Sequence, residues 1–446
     1  VQEYVVVASM LFGLFFGAGN LIFPVHMGQM AGSQLVPATL GFLITGVGLP
    51  LLSVAALGIS KSEGLFDLSR KVSRPYAYFF TCLLYLTIGP FFAIPRCATT
   101  AFTVGIEQAV PQAAAQLRLW LLVFSAVFFA AALLFSLFPG KILTWVGKIL
   151  NPFFLLFLGI LIIVALVKPS AAISAVAPEG AYASQAFSTG FLEGYNTMDV
   201  LAGLAFGIIV VQVIRELGVT DADAVASSTV KAGVFSSLLM ALIYLAVTVV
   251  GAQSRGLFET SENGGIALAQ IARHYLGSAG LVILAATVTL ACLKTSVGLI
   301  TSCAETFCGM FPKGPKYRAW AVLFTLISFA LSNFGLSTII SYSVPVLMFL
   351  YPLAIALVLL ALFGRFYRHD RAVYISVIVC TLLAALYDLI CALPEGLYDA
   401  LHADAVQAFG LRVLPFAGAG LGWICPLALG FVIGLAVHLM QKFRTK

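Results

Sequence analysis

Two short stretches of this sequence put polar groups and backbone breakers inside otherwise apolar runs. The first reads Phe15-Phe16-Gly17-Ala18-Gly19-Asn20-Leu21-Ile22-Phe23-Pro24. The second reads Gly190-Phe191-Leu192-Glu193-Gly194-Tyr195-Asn196-Thr197-Met198-Asp199. A helix interrupted at such a place leaves N–H groups free at the start of one half and C=O groups free at the end of the other. The N–H end, with its positive dipole, suits a carboxylate, and the C=O end suits a small cation. A simple kink or a small-residue packing contact would explain glycine and proline, but it would not call for Asn20 or for the run Tyr195-Asn196-Thr197.

The composition says what surrounds these breaks. The chain has 446 residues, of which 61% are hydrophobic and only 9% charged. Its mean hydropathy is +1.06. A soluble domain is about 45–50% apolar and about 25% charged, so this is an integral membrane protein. A disordered chain, a nucleic-acid-binding domain and a collagen-like chain are excluded, and the net charge of +6 is a matter of membrane orientation.

A spanning helix needs about 20 mostly apolar residues. Twelve such runs are predicted, roughly at 4–28, 36–60, 76–105, 119–138, 143–167, 188–214, 228–253, 279–306, 318–333, 337–363, 372–393 and 413–440. They are continuous rather than alternating, which excludes barrel strands. Most of the 24 lysines and arginines fall on one alternate set of connecting segments. Arg118, Lys168, Arg255, Arg273 and Arg412 fall on the other set, and Arg96 and Lys294 fall within spans. This bias places both termini in the cytoplasm. The amphipathic segment from Lys61 to Arg74 is expected along the cytoplasmic interface, and 256–277 as an outer loop with one short helix.

Several chemistries find no support. Eight cysteines include no Cys-x-x-Cys pair, so neither a disulfide framework nor a metal site is expected. The first apolar run is too long for a signal peptide. The five histidines are scattered, and no G-x-x-x-x-G-K-[ST], H-E-x-x-H or G-x-S-x-G sequence occurs, so no enzyme and no directly ATP-driven pump is read here. The two breaks lie five spans apart. Five is odd, so the second set of five spans runs inverted relative to the first, which is the pattern of a secondary transporter with its site between two discontinuous helices. A channel would call for a continuous polar pore instead.

Five motifs carry a resemblance: LFGLFFGAGNLIFP (11–24), GFLITGVGLPLL (41–52), GPFFAIPRCAT (89–99), GFLEGYNTMDVLAGLAFGI (190–208) and VPVLMFLYPL (344–353). In order along the whole chain, they resemble the bacterial branched-chain amino acid:cation symporters. The resemblance implies an all-α, leucine-transporter-like fold in one membrane domain, 1–446. Repeat one would cover about 4–167, repeat two about 188–363, and two extra helices about 372–440. It also implies import of leucine, isoleucine and valine across the bacterial inner membrane by alternating access, with sodium as the coupling ion, no other cofactor and no obligate protein partner. Carried onto this chain, the substrate carboxylate would meet N–H groups near Ala18, Gly19 and Asn20. The ammonium would meet groups around Phe191, Gly194, Tyr195, Asn196 and Thr197, and Phe15, Phe16, Phe23, Phe191 and Val297 would form the apolar pocket. A cation would lie between carbonyls near Gly13 and Phe16 and the hydroxyls of Thr295 and Ser296.

The chain departs from that family at two places. Members of it usually carry a threonine where Lys294 stands and a glutamate where Thr103 stands. A lysine at membrane depth costs at least about 2.5–3.5 kcal/mol on insertion scales, so Lys294 must pair, line water or give up its proton. One added cation and one lost anion open an alternative: a proton-coupled or cation-independent carrier of neutral amino acids, methionine included, in which Lys294 replaces the sodium ion. A structural ion pair of Lys294 with Asp199 or Glu193 is the other reading. Arg96 is expected either in gating, with Asp199 or Glu193, or facing water, while Asp199 is expected to stabilise the second break by accepting from Lys294 or Arg96. Asp388, outside the ten-helix core, is expected to be structural.

Overall fold

The structure, a computed structural model, describes residues 12, 13, 15–17, 19–60, 62, 64–110, 113–137, 151–206 and 222–444. Among these residues all regular structure is helical. Ala18, Lys61 and the segments 138–150 and 207–221, which hold parts of the fifth and sixth predicted spans, lie outside the described residues.

The first span is broken as its sequence predicts: Phe15 is helical, Phe16 and Gly17 are not, and α1 (Gly19–Ala31) starts beyond them. A tight turn at Gly32, with φ +48, leads into the second span. This consists of α2 (Leu35–Leu43), a wide π turn at Ile44–Gly48 and α3 (Leu49–Ile59). The short α4 (Leu65–Arg70) lies in the predicted interfacial segment. The third span is α5 (Arg74–Leu86), a second π turn at Thr87–Phe91 and α6 (Ala93–Gly105). Gly89 and Pro90 break the helical ladder there, since proline has no N–H to give. α7 (Ala114–Leu137) and α8 (Asn151–Val167) follow.

The second broken span consists of α9 (Tyr182–Glu193), a single 3-10 turn at Gly194–Thr197 and α10 (199–206). Beyond it run α11 (Ala222–Ser254), α12 (Gly264–Met310), α13 (Tyr317–Ser332), α14 (Leu336–Phe363) and α15 (Arg371–Cys391). α12 bends at Gly277, where φ is +66, so the predicted outer helix and the eighth span meet at one glycine. After the short α16 (Glu395–Ala400) and α17 (Asp404–Val413) the chain ends in α18 (Ile424–Arg444). The last span therefore starts at Ile424 and not near 413. Residues 414–423 are a loop that turns through left-handed positions at Phe416 and Gly420.

Eight helical stretches among the described residues are long and apolar enough to cross a membrane, and Leu155–Val167 and Tyr317–Ser332 are shorter apolar helices. Val127, Leu238, Val282 and Leu383 face outward, as a lipid solvent requires. The packing is reciprocal. α1 lies against α11, the seventh span, and α9 lies against α2, in the second. Spans one and six, and two and seven, are each five apart, so this exchange of partners is what an inverted repeat produces. Both contacts are close: a Cβ on Gly28 would stand 2.1 Å from the Thr248 carbonyl oxygen, and one on Gly190 would stand 2.0 Å from that of Ala38. Small residues that let backbones touch are the usual membrane packing device.

Candidate functional site

The breaks meet. Asn20, in the first turn of α1, sends its side chain three ways. Its Oδ1 accepts from the Gly17 N–H at 2.8 Å, closing the open end of the first break. Its Nδ2 donates to Asp199 Oδ2 at 2.7 Å and to the Tyr244 hydroxyl. Tyr244, on α11, donates in turn to Asp199 Oδ2 at 3.0 Å. All three residues are buried, so one closed polar triangle joins the first break, the second break and the seventh span. Buried polar groups of this kind hold only when satisfied.

The second break is held from both sides. Thr197 caps α10: its Oγ1 accepts from the Asp199 N–H at 3.4 Å and donates to the Gly194 carbonyl at 2.9 Å. Met198 takes a left-handed φ of +62, a strained conformation for a residue with a side chain and one that clusters at functional sites. Thr45, in the π turn of the second span, donates to the Phe191 carbonyl at 2.7 Å. Asn196 Nδ2 donates to Glu193 Oε2 at 3.2 Å.

Arg96 faces inward, 4% exposed. Its Nη1 donates to the Asn196 carbonyl at 2.8 Å, and its guanidinium sits 5.0 Å over the Phe23 ring. Its Nη2 would lie 3.0 Å from a Cβ on Gly19. The water-facing alternative for Arg96 is thus overturned, because both breaks close around it. The expected donors to Asp199 are corrected as well: Asn20 and Tyr244 hydrogen-bond to its carboxylate, while Arg96 goes to a carbonyl left open by the break.

Between these groups lies a cavity of about 50 Å³, space for a few waters. Of the predicted residues, Phe15, Gly19, Asn20, Arg96, Thr197, Asp199 and Thr295 line it. Phe16, Phe23, Phe191, Gly194, Tyr195, Asn196 and Val297 are not in its lining. Phe16 stacks near Tyr244, and Tyr195 stacks on Tyr351 with centroids 4.0 Å apart. Thr295 comes beside the first break: its Oγ1 would be 3.7 Å from a Cβ on Gly17 and itself donates to the Ala291 carbonyl at 3.1 Å. Ser296 Oγ is buried without a hydrogen-bond partner, an oxygen with its lone pairs unused, and Gly13 is buried just before the break. Lys294 is half-buried on the same helix and is not in the cavity lining. Among the described residues no group of His, Cys, Asp and Glu could hold a metal ion.

Sequence reasoning missed Tyr244, a lone polar residue in an apolar run with no neighbour to mark it, and gave no role to Thr45 within the motif 41–52. It also missed Cys97, Ala202, Phe206 and Leu299 in the lining.

The family described as branched-chain amino acid transport protein matches residues 1–441. A protein of Lactobacillus delbrueckii subsp. lactis named branched-chain amino acid permease BrnQ is 53% identical over 442 residues, 99% of this chain and 98% of that protein. Among solved structures, the inward-facing conformation of Mhp1 superposes with a TM-score of 0.63 at 16% identity, covering 99% of this chain and 91% of that one. MhsT in complex with L-phenylalanine gives 0.58 at 16% identity, covering 98% and 97%. These likenesses give the fold, which is that of the leucine-transporter-like carriers.

Proposed function

Because this chain belongs to the branched-chain amino acid transport protein family, we propose that it is a carrier of leucine, isoleucine and valine, working by alternating access around the two helix breaks. The observation that carries this reading is the cavity between Gly19–Asn20 and Thr197–Asp199. It puts a helix N-terminus, buried hydrogen-bonding groups and apolar walls (Phe15, Ile88, Phe206) around one small space. An amino acid presents a carboxylate, an ammonium and an apolar side chain, and the site offers a partner to each. The carboxylate goes to the free N–H groups opening α1, with the buried Arg96 guanidinium next to them. The ammonium goes to Asp199 and the Thr197 hydroxyl. The pocket separates substrates differing by one methylene by only about 1–3 kcal/mol, so the carrier takes the branched-chain set as a group.

Transport is coupled to a cation, with sodium as the first reading. Oxygen ligands suit a hard cation, and the Thr295 hydroxyl beside the first break together with the unused Ser296 hydroxyl supplies them. Lys294, one residue before Thr295, supports a second reading, in which its ammonium stands in for that cation and coupling is to protons or absent. The Lys and Arg distribution favours cytoplasmic termini in a plasma membrane.

Labelled leucine uptake into proteoliposomes tests both readings, first under a sodium gradient and then under a proton gradient. Sodium-driven uptake that survives Lys294→Thr supports the first. Uptake indifferent to sodium, driven by protons and altered in Lys294→Thr, supports the second. No saturable uptake under either gradient overturns the carrier assignment.

A further inference from the structure

A second cavity lies on another side of α6. It holds about 240 Å³, several times the volume of the cavity between the breaks. The two linings share no residue: Arg96 and Cys97 of α6 belong to the first, while Thr99, Phe102 and Thr103 belong to the second. The start of α7, the segment 262–266 and the turn joining α13 to α14 complete its walls. That turn takes a φ of +85 at Gly335, which glycine adopts without steric cost. Arg118 and Glu262 both line the cavity, on the side that the lysine and arginine bias assigns to the outside.

The walls combine three chemistries. Arg118 and Glu262 are exposed, and among the described residues neither is in an ion pair. Glu107 lines the cavity too, so the wall carries two carboxylates and one guanidinium. Its neutral polar groups are largely spent. Thr99 Oγ1 donates to the Pro95 and Arg96 carbonyls at 3.2 and 3.1 Å. Asn263 caps α12 with its Oδ1 and donates to Ser337 Oγ at 3.2 Å. The rest of the wall is apolar, with Phe102, Leu121 and Leu336 buried in it. Charges that only meet water need neither a cavity nor an apolar wall. A bare anion would face two carboxylates. A ligand with an ammonium, a carboxylate and an apolar side chain finds a partner for each.

The second cavity also bears on the first break. Ser261, just before Glu262, is bonded to α1 twice: its N–H donates to Gln29 Oε1 at 3.2 Å, and its carbonyl meets His26 Nε2 at 3.0 Å. A Cβ on Gly264 would stand 1.8 Å from the Ile22 carbonyl oxygen of α1. The segment that gives Glu262 and Asn263 to the cavity therefore rests on α1, and Thr99 lies one turn beyond Arg96 on α6. We propose that this cavity is a second binding site, for a zwitterionic amino acid with an apolar side chain. Arg118 takes the carboxylate, Glu262 and Glu107 take the ammonium, and Phe102, Leu121 and Leu336 take the side chain. Because its walls press on α1 and α6, an amino acid held there changes the affinity of the site between the breaks, and the effect is reciprocal. The inference rests on the carrier reading for its ligand, leucine, and uses no residue of the breaks to bind it.

Equilibrium binding of labelled leucine to the purified full-length protein is the test. Wild type should bind two leucines per chain at saturation. A double variant, Arg118→Gln with Glu262→Gln, changes only exposed side chains; it should weaken one site by at least about tenfold and keep the other. Asn20→Leu should lose the site between the breaks and keep the one that the double variant weakens. One leucine per wild-type chain, lost in Asn20→Leu, overturns the proposal and leaves the carrier reading standing. Two leucines held by the double variant as tightly as by wild type also overturn it. One leucine that survives Asn20→Leu and is lost in the double variant supports it and takes the substrate site away from the breaks. Wild type that binds no leucine overturns both readings. Isopentylamine, which is leucine without its carboxylate, should compete at the second site at least about tenfold less well than leucine; equal competition overturns the zwitterion assignment. Excess unlabelled leucine should change the release of labelled leucine from the site between the breaks at least about fivefold relative to dilution alone, in wild type and not in the double variant. Equal release in wild type overturns the coupling.

Discussion

Replacing Arg96 with leucine should uncouple the two helix breaks. The guanidinium makes two contacts that a leucine cannot. It donates to the Asn196 carbonyl, one of the C=O groups that the break itself leaves open, and it covers the Phe23 ring of α1. A buried carbonyl deprived of its donor costs about 1–3 kcal/mol, and a desolvated cation–π contact is worth about 0.5–2 kcal/mol. Taken together, Arg96→Leu should remove about 2–4 kcal/mol from the arrangement that holds both breaks around the cavity. At about 1.4 kcal/mol per tenfold, leucine affinity should fall about five- to thirtyfold even if half of the loss is absorbed by relaxation. Arg96→Lys should fall between wild type and Arg96→Leu, because an ammonium can reach the carbonyl but cannot lie flat over the ring. The assay is equilibrium binding of labelled leucine to purified protein, with thermal unfolding of the same samples. A folded Arg96→Leu protein that binds leucine within twofold of wild type, and unfolds at the same temperature, would refute this reasoning.

Other consequences follow from the same geometry. Gly194→Ala would place a Cβ 1.9 Å from Thr45 Oγ1, so it should abolish folded protein in size-exclusion profiles, and Thr45→Ala in the same chain should restore part of it. Tyr244→Phe removes one donor to Asp199 and should cost about 1.5–3 kcal/mol in thermal stability, with weakened leucine binding; an unchanged unfolding temperature would count against the triangle. Outside the membrane, burial pushes the Asp370 carboxyl up, but the His438 contact and the Ala372 N–H outweigh it and hold it below its ordinary value. A lowered carboxyl stabilises the fold above its unfolded range and loses that contribution as pH falls through the lowered value. Both side chains are about one-fifth exposed (19% and 21%), so Asp370→Asn should cost under about 1 kcal/mol at neutral pH, with the gap to wild type closing on acidification.

How much of this was legible in the sequence differs from element to element. The breaks were visible because glycine, proline and asparagine inside an apolar run contradict the helix around them. The inversion followed from counting an odd number of spans between them. Arg96 was visible as an intramembrane charge, but its direction was not. A charged residue in a span can face water, lipid headgroups or the interior, and only the tertiary arrangement showed both breaks closing on it. Asp199 stands next to the second break in the sequence, yet its partners were out of reach, because Asn20 and Tyr244 lie far away along the chain. Tyr244 gave no signal at all: one hydroxyl in a long apolar helix reads the same whether it satisfies its own turn or completes a site. Thr45 lies in the glycine-flanked motif 41–52, but nothing in that motif says that its hydroxyl reaches the Phe191 carbonyl. The last helix was started too early because the loop 414–423 is apolar enough to pass for membrane, and its two left-handed turns depend on packing against the second break.

Counterflow of labelled leucine in proteoliposomes preloaded with unlabelled leucine, compared between wild type and Asn20→Leu, tests most directly that the two breaks form the substrate site. Wild type should show transient, saturable accumulation that isoleucine and valine compete away. Asn20→Leu, folded but without the side chain that ties the first break to Asp199 and Tyr244, should show none. Counterflow by a folded Asn20→Leu protein equal to that of wild type would place the substrate elsewhere and contradict the account.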